Sequence, residues 1–188
     1  MTSAAHHNQN QTARQNRLDR PVVLIGMMGV GKSTVGRMLA AQLGLAFVDT
    51  DEEIEKAADL SIAEIFERFG EDYFRDGERR VIARLIADGP RVIATGGGAF
   101  INDQTRALIK EKCHSVWIDA DLDILVARVS RRGHRPLLIG KDPRAVLTEL
   151  SKKRSPIYSL ADFHVRSDAA PHSHTVEQIM KVLSACAR

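Results

Sequence analysis

Short apolar runs alternate along this chain with longer segments whose apolar residues recur at helical spacing. Val22-Val23-Leu24-Ile25 is a continuous apolar run stopped by Gly26, the pattern of a strand covered on both faces. From Lys32 to Leu43, Val35, Met38, Leu39 and Leu43 fall on one helical face, and Gly44 stands where a helix stop belongs. Ala46 to Val48 predicts a second strand. Helical patterns follow at Glu52 to Ala58, Ile62 to Phe69 and Glu71 to Ala87. Strands return at Val92 to Ala94, Ser115 to Ile118 and Phe163 to Val165. Between and after them, helices are predicted at Asp103 to Lys112, Leu122 to Ser130, Arg144 to Lys153 and Val176 to Ala185. Strands separated by helices imply parallel pairing with helices on both faces, an α/β architecture. Residues 21–188 then form one domain, with insertions at about 51–88 and 131–142, and residues 1–20 a disordered polar tail.

Between the first strand and the first helix stands Gly26-Met27-Met28-Gly29-Val30-Gly31-Lys32-Ser33-Thr34, a complete GxxxxGK[ST]. Glycines let successive backbone N–H groups wrap a phosphate at a helix N-terminus, where the dipole is positive. Lys32 would reach the β- and γ-phosphates, and the Ser33 hydroxyl would ligate Mg²⁺. A dinucleotide site fails on glycine spacing, because the third glycine position holds Thr34. A GTPase would need an NKxD-type segment, which is absent.

The apolar run at Ala46 ends in Asp49-Thr50-Asp51-Glu52-Glu53. On extended backbone Asp49 and Asp51 would point to one side. Asp49 suits a Mg²⁺-bound water; Asp51, further out, would repel an acceptor phosphate but accept hydrogen bonds and a proton from an acceptor hydroxyl. This disfavours nucleoside monophosphates as acceptors. Glu52, Glu53 and Glu55 read as a solvated first helical turn. Arg75 and Arg154, with the triple glycine Gly96-Gly97-Gly98 at a strand's carboxyl end, suggest a pocket for an acceptor bearing a carboxylate and hydroxyls.

Charge adds little to this picture. The net charge is +3, of which Arg14, Arg17 and Arg20 against Asp19 supply +2, so the body predicts no nucleic-acid partner. Cys113 and Cys186 have neither metal-ligand nor CxxC spacing, which fits a reducing, cytoplasmic setting. No apolar run approaches the roughly 20 residues that span a bilayer.

The ordered set GxxGxGKST, DTD, Phe74-Arg75-Asp76-Gly77-Glu78, ATGGGA, Arg135-Pro136-Leu137-Leu138 and Lys153-Arg154-Ser155-Pro156-Ile157-Tyr158 resembles the shikimate kinases from about Pro21 to the last helix. The resemblance implies a P-loop, nucleoside-monophosphate-kinase-like α/β/α fold with a five-stranded parallel sheet of order 2-3-1-4-5. It implies a monomer that transfers the γ-phosphoryl group of ATP to the 3-hydroxyl of shikimate. Carried over by position, Gly29, Val30, Gly31, Lys32, Ser33, Thr34, Arg128 and Arg135 would bind ATP, with Arg128 against adenine and Arg135 on a closing lid. Asp51, Arg75, Gly97, Gly98 and Arg154 would hold shikimate, Ser33 and Asp49 the Mg²⁺, and Lys32, Asp51 and Arg135 would serve catalysis. The third strand ends at Thr95 without the Walker B aspartate of many ATPases, an absence the shikimate kinases share, and Gly77 sits inside a predicted helix. The alternatives are a gluconate-type kinase, against which the triple glycine and KRxPxY argue, and a nucleotide-binding regulatory module without catalysis.

Overall fold

The computed structural model describes residues 18–131, 138 and 140–186. The tail up to residue 17 and most of the lid segment, Arg135 included, lie outside them. The elements run β1 (Val22–Ile25), α1 (Lys32–Leu43), β2 (Phe47–Asp49), α2 (Thr50–Ala58), α3 (Ile62–Ala87), β3 (Val92–Ala94), a 3-10 turn (Ala99–Ile101), α4 (Asp103–Lys112), β4 (His114–Asp119), α5 (Leu122–Ser130), α6 (Pro143–Tyr158), β5 (Phe163–Arg166) and α7 (His172–Cys186). The strands form one five-stranded sheet of order β2-β3-β1-β4-β5, and each adjacent pair is parallel. The three-layer α/β/α architecture expected from the alternation is the one observed.

The apolar runs became the inner strands because both of their faces are covered. Val22, Val23 and Leu24 of β1 and Val92 and Ile93 of β3 are fully buried, and β1 pairs with β3 on one side and β4 on the other. At about 25 cal/mol per Å² of apolar area, such burial is the main force holding the sheet. Leu18, in the segment expected to be tail, packs against this core.

Several element boundaries differ from the pattern reading. Strand β2 ends at Asp49 and α2 starts at Thr50, so Asp49 and Asp51 do not share an extended backbone. Asp49 is instead the N-cap, its Oδ1 accepting the Asp51 N–H at 3.0 Å, and an acid that caps a helix ends the strand before it. Helix α6 runs past Lys153 to Tyr158 and carries Pro156 within it. Helix α7 begins at His172, one turn before the first apolar residue of its face. The last two of the three helices expected in the first insertion are contiguous, with Gly70 (φ 82, ψ 178) as the non-helical break between them. Their start is fixed by a capping box in which the Ser61 hydroxyl accepts from Glu64 N–H and the Glu64 carboxylate accepts from Ser61 N–H.

Candidate active site

The carboxyl ends of β1, β2 and β3 meet at one edge of the sheet, and the loops leaving them form two adjoining hollows. The first is lined by the loop after β1. Gly29 (φ 84) and Gly31 (φ 100) adopt left-handed backbone that other residues rarely tolerate. Gly31 is the N-cap of α1 and lends no side chain to the helix start, so this end is suited to an anion. The Lys32 ammonium donates to the carbonyls of Gly26 at 2.8 Å and Met27 at 3.1 Å, folding back along the loop it follows. Ser33 Oγ donates to Asp49 Oδ2 at 2.6 Å. These groups surround a cavity of about 110 Å³.

Arg128, from α5, closes the far side of the loop. Its guanidinium donates to the Val30 carbonyl at 3.1 Å, to Ser167 Oγ at 3.3 Å and to the Asp168 carbonyl at 3.1 Å. It thereby ties the phosphate loop to the segment between β5 and α7. Burial lowers its pKa, and Asp168 opposes that pull.

The second hollow, about 390 Å³, lies between α2, α3 and the triple glycine after β3. Each glycine faces a different charged side chain. A Cβ at Gly96 would lie 2.8 Å from Asp51 Oδ1 and 3.0 Å from Glu78 Oε1; at Gly97, 3.1 Å from Arg154 Nη1; at Gly98, 2.5 Å from Arg75 Nη2. The missing side chains are what let carboxylates and guanidinia approach the backbone here. The turn is anchored from below, since Gly96 N–H donates to Thr50 Oγ1 at 3.2 Å and Thr95 Oγ1 to the Leu24 carbonyl at 3.0 Å. Ile62, Phe66 and Phe74 give the cavity an apolar wall.

The electrostatics centre on Glu78, which is 2% exposed. Its Oε2 accepts from Arg75 Nη1 at 2.7 Å, while its Oε1 has no hydrogen-bond partner among the described residues. Burial holds its pKa above the usual carboxylate range; Arg75 pulls it back, and the nearby Asp51 charge pushes it up again. Burial pulls the Arg75 guanidinium the other way, but Glu78 and Glu71 more than restore it. Desolvation therefore falls on the carboxylate, and the arginine stays a firm cation.

Of the residues singled out in the sequence, Gly29, Gly31, Lys32, Ser33, Thr34 and Asp49 line the first hollow, and Arg75, Gly98 and Arg154 the second; Asp51 and Gly97 line both. Val30 lies in the loop, held by Arg128, and Arg135 lies outside the described residues. Pattern reading missed two groups. Glu78 and Tyr158 were quoted within motifs without a role, yet Glu78 braces Arg75, and the fully buried Tyr158 donates its hydroxyl to the Gly97 carbonyl. The available signal was spacing, since Glu78 is i+3 from Arg75 and Tyr158 is i+4 from Arg154, each on the face of its helix that carries the arginine.

Among the described residues there is no group of three or more His, Cys, Asp or Glu that could hold a metal. The adjacent Ser33 hydroxyl and Asp49 carboxylate still suit Mg²⁺, which keeps waters and phosphate oxygens in most of its positions.

The family model described as "Shikimate kinase" matches residues 28–184. A shikimate kinase of Caulobacter vibrioides is 57% identical over 164 residues, covering 87% of this chain and 82% of that protein. The structure of shikimate kinase from Acinetobacter baumannii in complex with shikimate superposes with a TM-score of 0.86 at 32% identity, covering 93% of this chain and 97% of that one. A gluconokinase from Sinorhizobium meliloti reaches a TM-score of 0.62 at 20% identity, over 92% of this chain and 95% of that one, and shares the fold alone. Matched by the family model over most of its length and more than half identical to a shikimate kinase across 87% of its residues, the chain belongs to the shikimate kinase family.

Proposed function

We propose how the family reaction, transfer of the γ-phosphoryl group of ATP to the 3-hydroxyl of shikimate, is divided among the residues of this chain. The carrying observation is that the two hollows adjoin: Met28, Asp51, Gly96 and Gly97 line both. A phosphoryl group held in the smaller hollow and a hydroxyl held in the larger one therefore meet beside Asp51.

On the donor side, the N–H groups from Gly29 to Thr34 cradle the ATP phosphates, Lys32 swings from the loop carbonyls to the β- and γ-phosphates, and Arg128 lies against the adenine. Ser33 and, through water, Asp49 would hold Mg²⁺, which when bound adds positive charge at the β- and γ-phosphate oxygens. On the acceptor side, the forks of Arg75 and Arg154 take the shikimate carboxylate, with the backbone of Gly97 and Gly98 close against the ring. Asp51 accepts hydrogen bonds from the ring hydroxyls and takes the proton of the one that attacks. Arg135 closes from the lid onto the transferring group, and lid closure keeps water from the γ-phosphate. Each protomer carries all the groups named, so a monomer suffices.

A coupled ADP-release assay tests the reading against shikimate, gluconate, quinate and nucleoside monophosphates. ADP release is expected to depend on shikimate. Turnover with gluconate alone would favour the rival sugar-acid kinase, and no acceptor-dependent turnover would leave only nucleotide binding.

A further inference from the structure

Tyr158 is the largest of the fully buried side chains, at 0% exposure, so its ring has no open face from which to touch a substrate. Its hydroxyl nevertheless points at the site, donating to the Gly97 carbonyl. Arg154 lies one turn earlier on α6; burial raises the phenol's pKa and the nearby Arg154 charge opposes that rise. From the other side Arg154 Nη1 reaches to 3.1 Å of where a Gly97 Cβ would be, with Tyr158 Oη at 3.7 Å and the Gly26 carbonyl at 3.6 Å. Gly97 is thus the point where α6, the triple glycine and the start of the phosphate loop converge. The helix reaches this point only by continuing through Pro156, an interior position where proline removes a backbone hydrogen bond and crowds the preceding turn. Continuing helix places the phenol on the face that carries Arg154. Trp117 backs the ring, with centroids 6.1 Å apart.

We propose that Tyr158 is a positioning residue for the acceptor: its hydroxyl, bonded to the Gly97 carbonyl and facing Arg154, sets the Arg154 guanidinium against the triple-glycine turn. The inference rests on the reading of Arg154 as a partner of the acceptor carboxylate. It distinguishes Tyr158 from a merely structural tyrosine, whose loss would lower stability and leave each KM where it was.

In Tyr158→Phe the ring stays and only the hydroxyl is lost. The shikimate KM is expected to rise up to about tenfold, the size of one lost hydrogen bond, with kcat and the ATP KM within about twofold. In an Arg154→Ala background the same substitution is expected to add nothing, because both act through one group. A shikimate KM unmoved by Tyr158→Phe while Arg154→Ala raises it overturns this inference alone. So does an equal rise in both backgrounds. An unmoved KM in Arg154→Ala overturns the carboxylate-partner reading and this inference with it. A second readout does not depend on the Tyr158→Phe protein folding. The chain has two tyrosines, so Tyr73→Phe leaves Tyr158 alone to carry 3-fluorotyrosine. Its ¹⁹F resonance is expected to move as shikimate is added and to stay still in Arg154→Ala; a resonance indifferent to shikimate overturns the proposal.

Discussion

The two sides of this site are built from different materials. The donor side is mostly main chain: a glycine loop, a helix N-terminus and a lysine resting on backbone carbonyls. The acceptor side is mostly charged side chain, gathered from α2, α3 and α6 around three glycines, with a buried carboxylate that is half satisfied. A backbone cradle recognises any polyphosphate, and its geometry follows from chain conformation. Two arginines and an aspartate suit one pattern of acid and hydroxyls, and their geometry depends on packing among elements distant in sequence. Generic binding here is local and specific binding is long-range.

The largest test of that contrast concerns the group expected to join the two sides. Arg135→Ala is expected to lower kcat about 10³-fold, the scale of an arginine that stabilises transition-state charge, with shikimate affinity nearly unchanged. Steady-state kinetics beside a binding titration checks it, and a raised KM at unchanged kcat would place Arg135 among the simple binding groups. Next in size, Arg75→Ala and Arg154→Ala are each expected to weaken shikimate binding by about 10–100-fold, as loss of a charge-assisted pair should. ATP affinity should hold, since neither arginine lines the donor hollow. Calorimetry showing equal loss of both ligands would break the division into two sides.

These contrasts explain what was readable in the sequence. The phosphate loop was legible because its whole physics lies in consecutive residues, and β1 and β3 because double-sided burial demands unbroken apolar runs. The sheet order came with the family resemblance. Arg75 and Arg154 could be suspected from their motifs, but nothing local marks Glu78 as buried or Tyr158 as a donor to Gly97, because both properties are created when α3 and α6 pack against the turn after β3. Asp49 lines the first hollow and Asp51 both, but not through the shared extended backbone expected of them. The alternation expected of a strand gave way to capping, which satisfied the Asp51 N–H and turned the chain into α2. Pro156 stands past Lys153, where the apolar pattern ends the helix, yet the last turn of α6 accommodates it.

A smaller effect separates charge from burial on the acceptor side. Because burial raises the folded pKa of Glu78, the folded protein binds this proton more tightly than the unfolded chain does. Its contribution to stability is full below the unfolded carboxylate pKa and is lost as pH rises through the raised folded value. Urea unfolding of the parent and of Glu78→Gln across that window is therefore expected to show the parent's relative stability falling as pH rises. A relative stability that climbs with pH would mean that the Arg75 pair outweighs desolvation, and that this carboxylate is a stabilising ion-pair partner.

The smallest effect asks whether the acceptor side must yield to work. Gly77 lies in α3 between Arg75 and Glu78, and a Cβ there would meet nothing within 4 Å. Gly77→Ala should then stabilise the chain by about 1 kcal/mol through lower unfolded-state entropy and better helix propensity, raising Tm by about 2–4 °C for a chain of this size. Since Arg75 is already held by Glu71 and Glu78, stiffening the turn beneath it is expected to leave kcat and the shikimate KM within about twofold. Thermal melts and steady-state kinetics on one preparation decide the matter. If Tm rises and kcat falls, the glycine is there to let α3 move, and the side-chain-built half of the site works by rearranging around its substrate while the backbone-built half stays still.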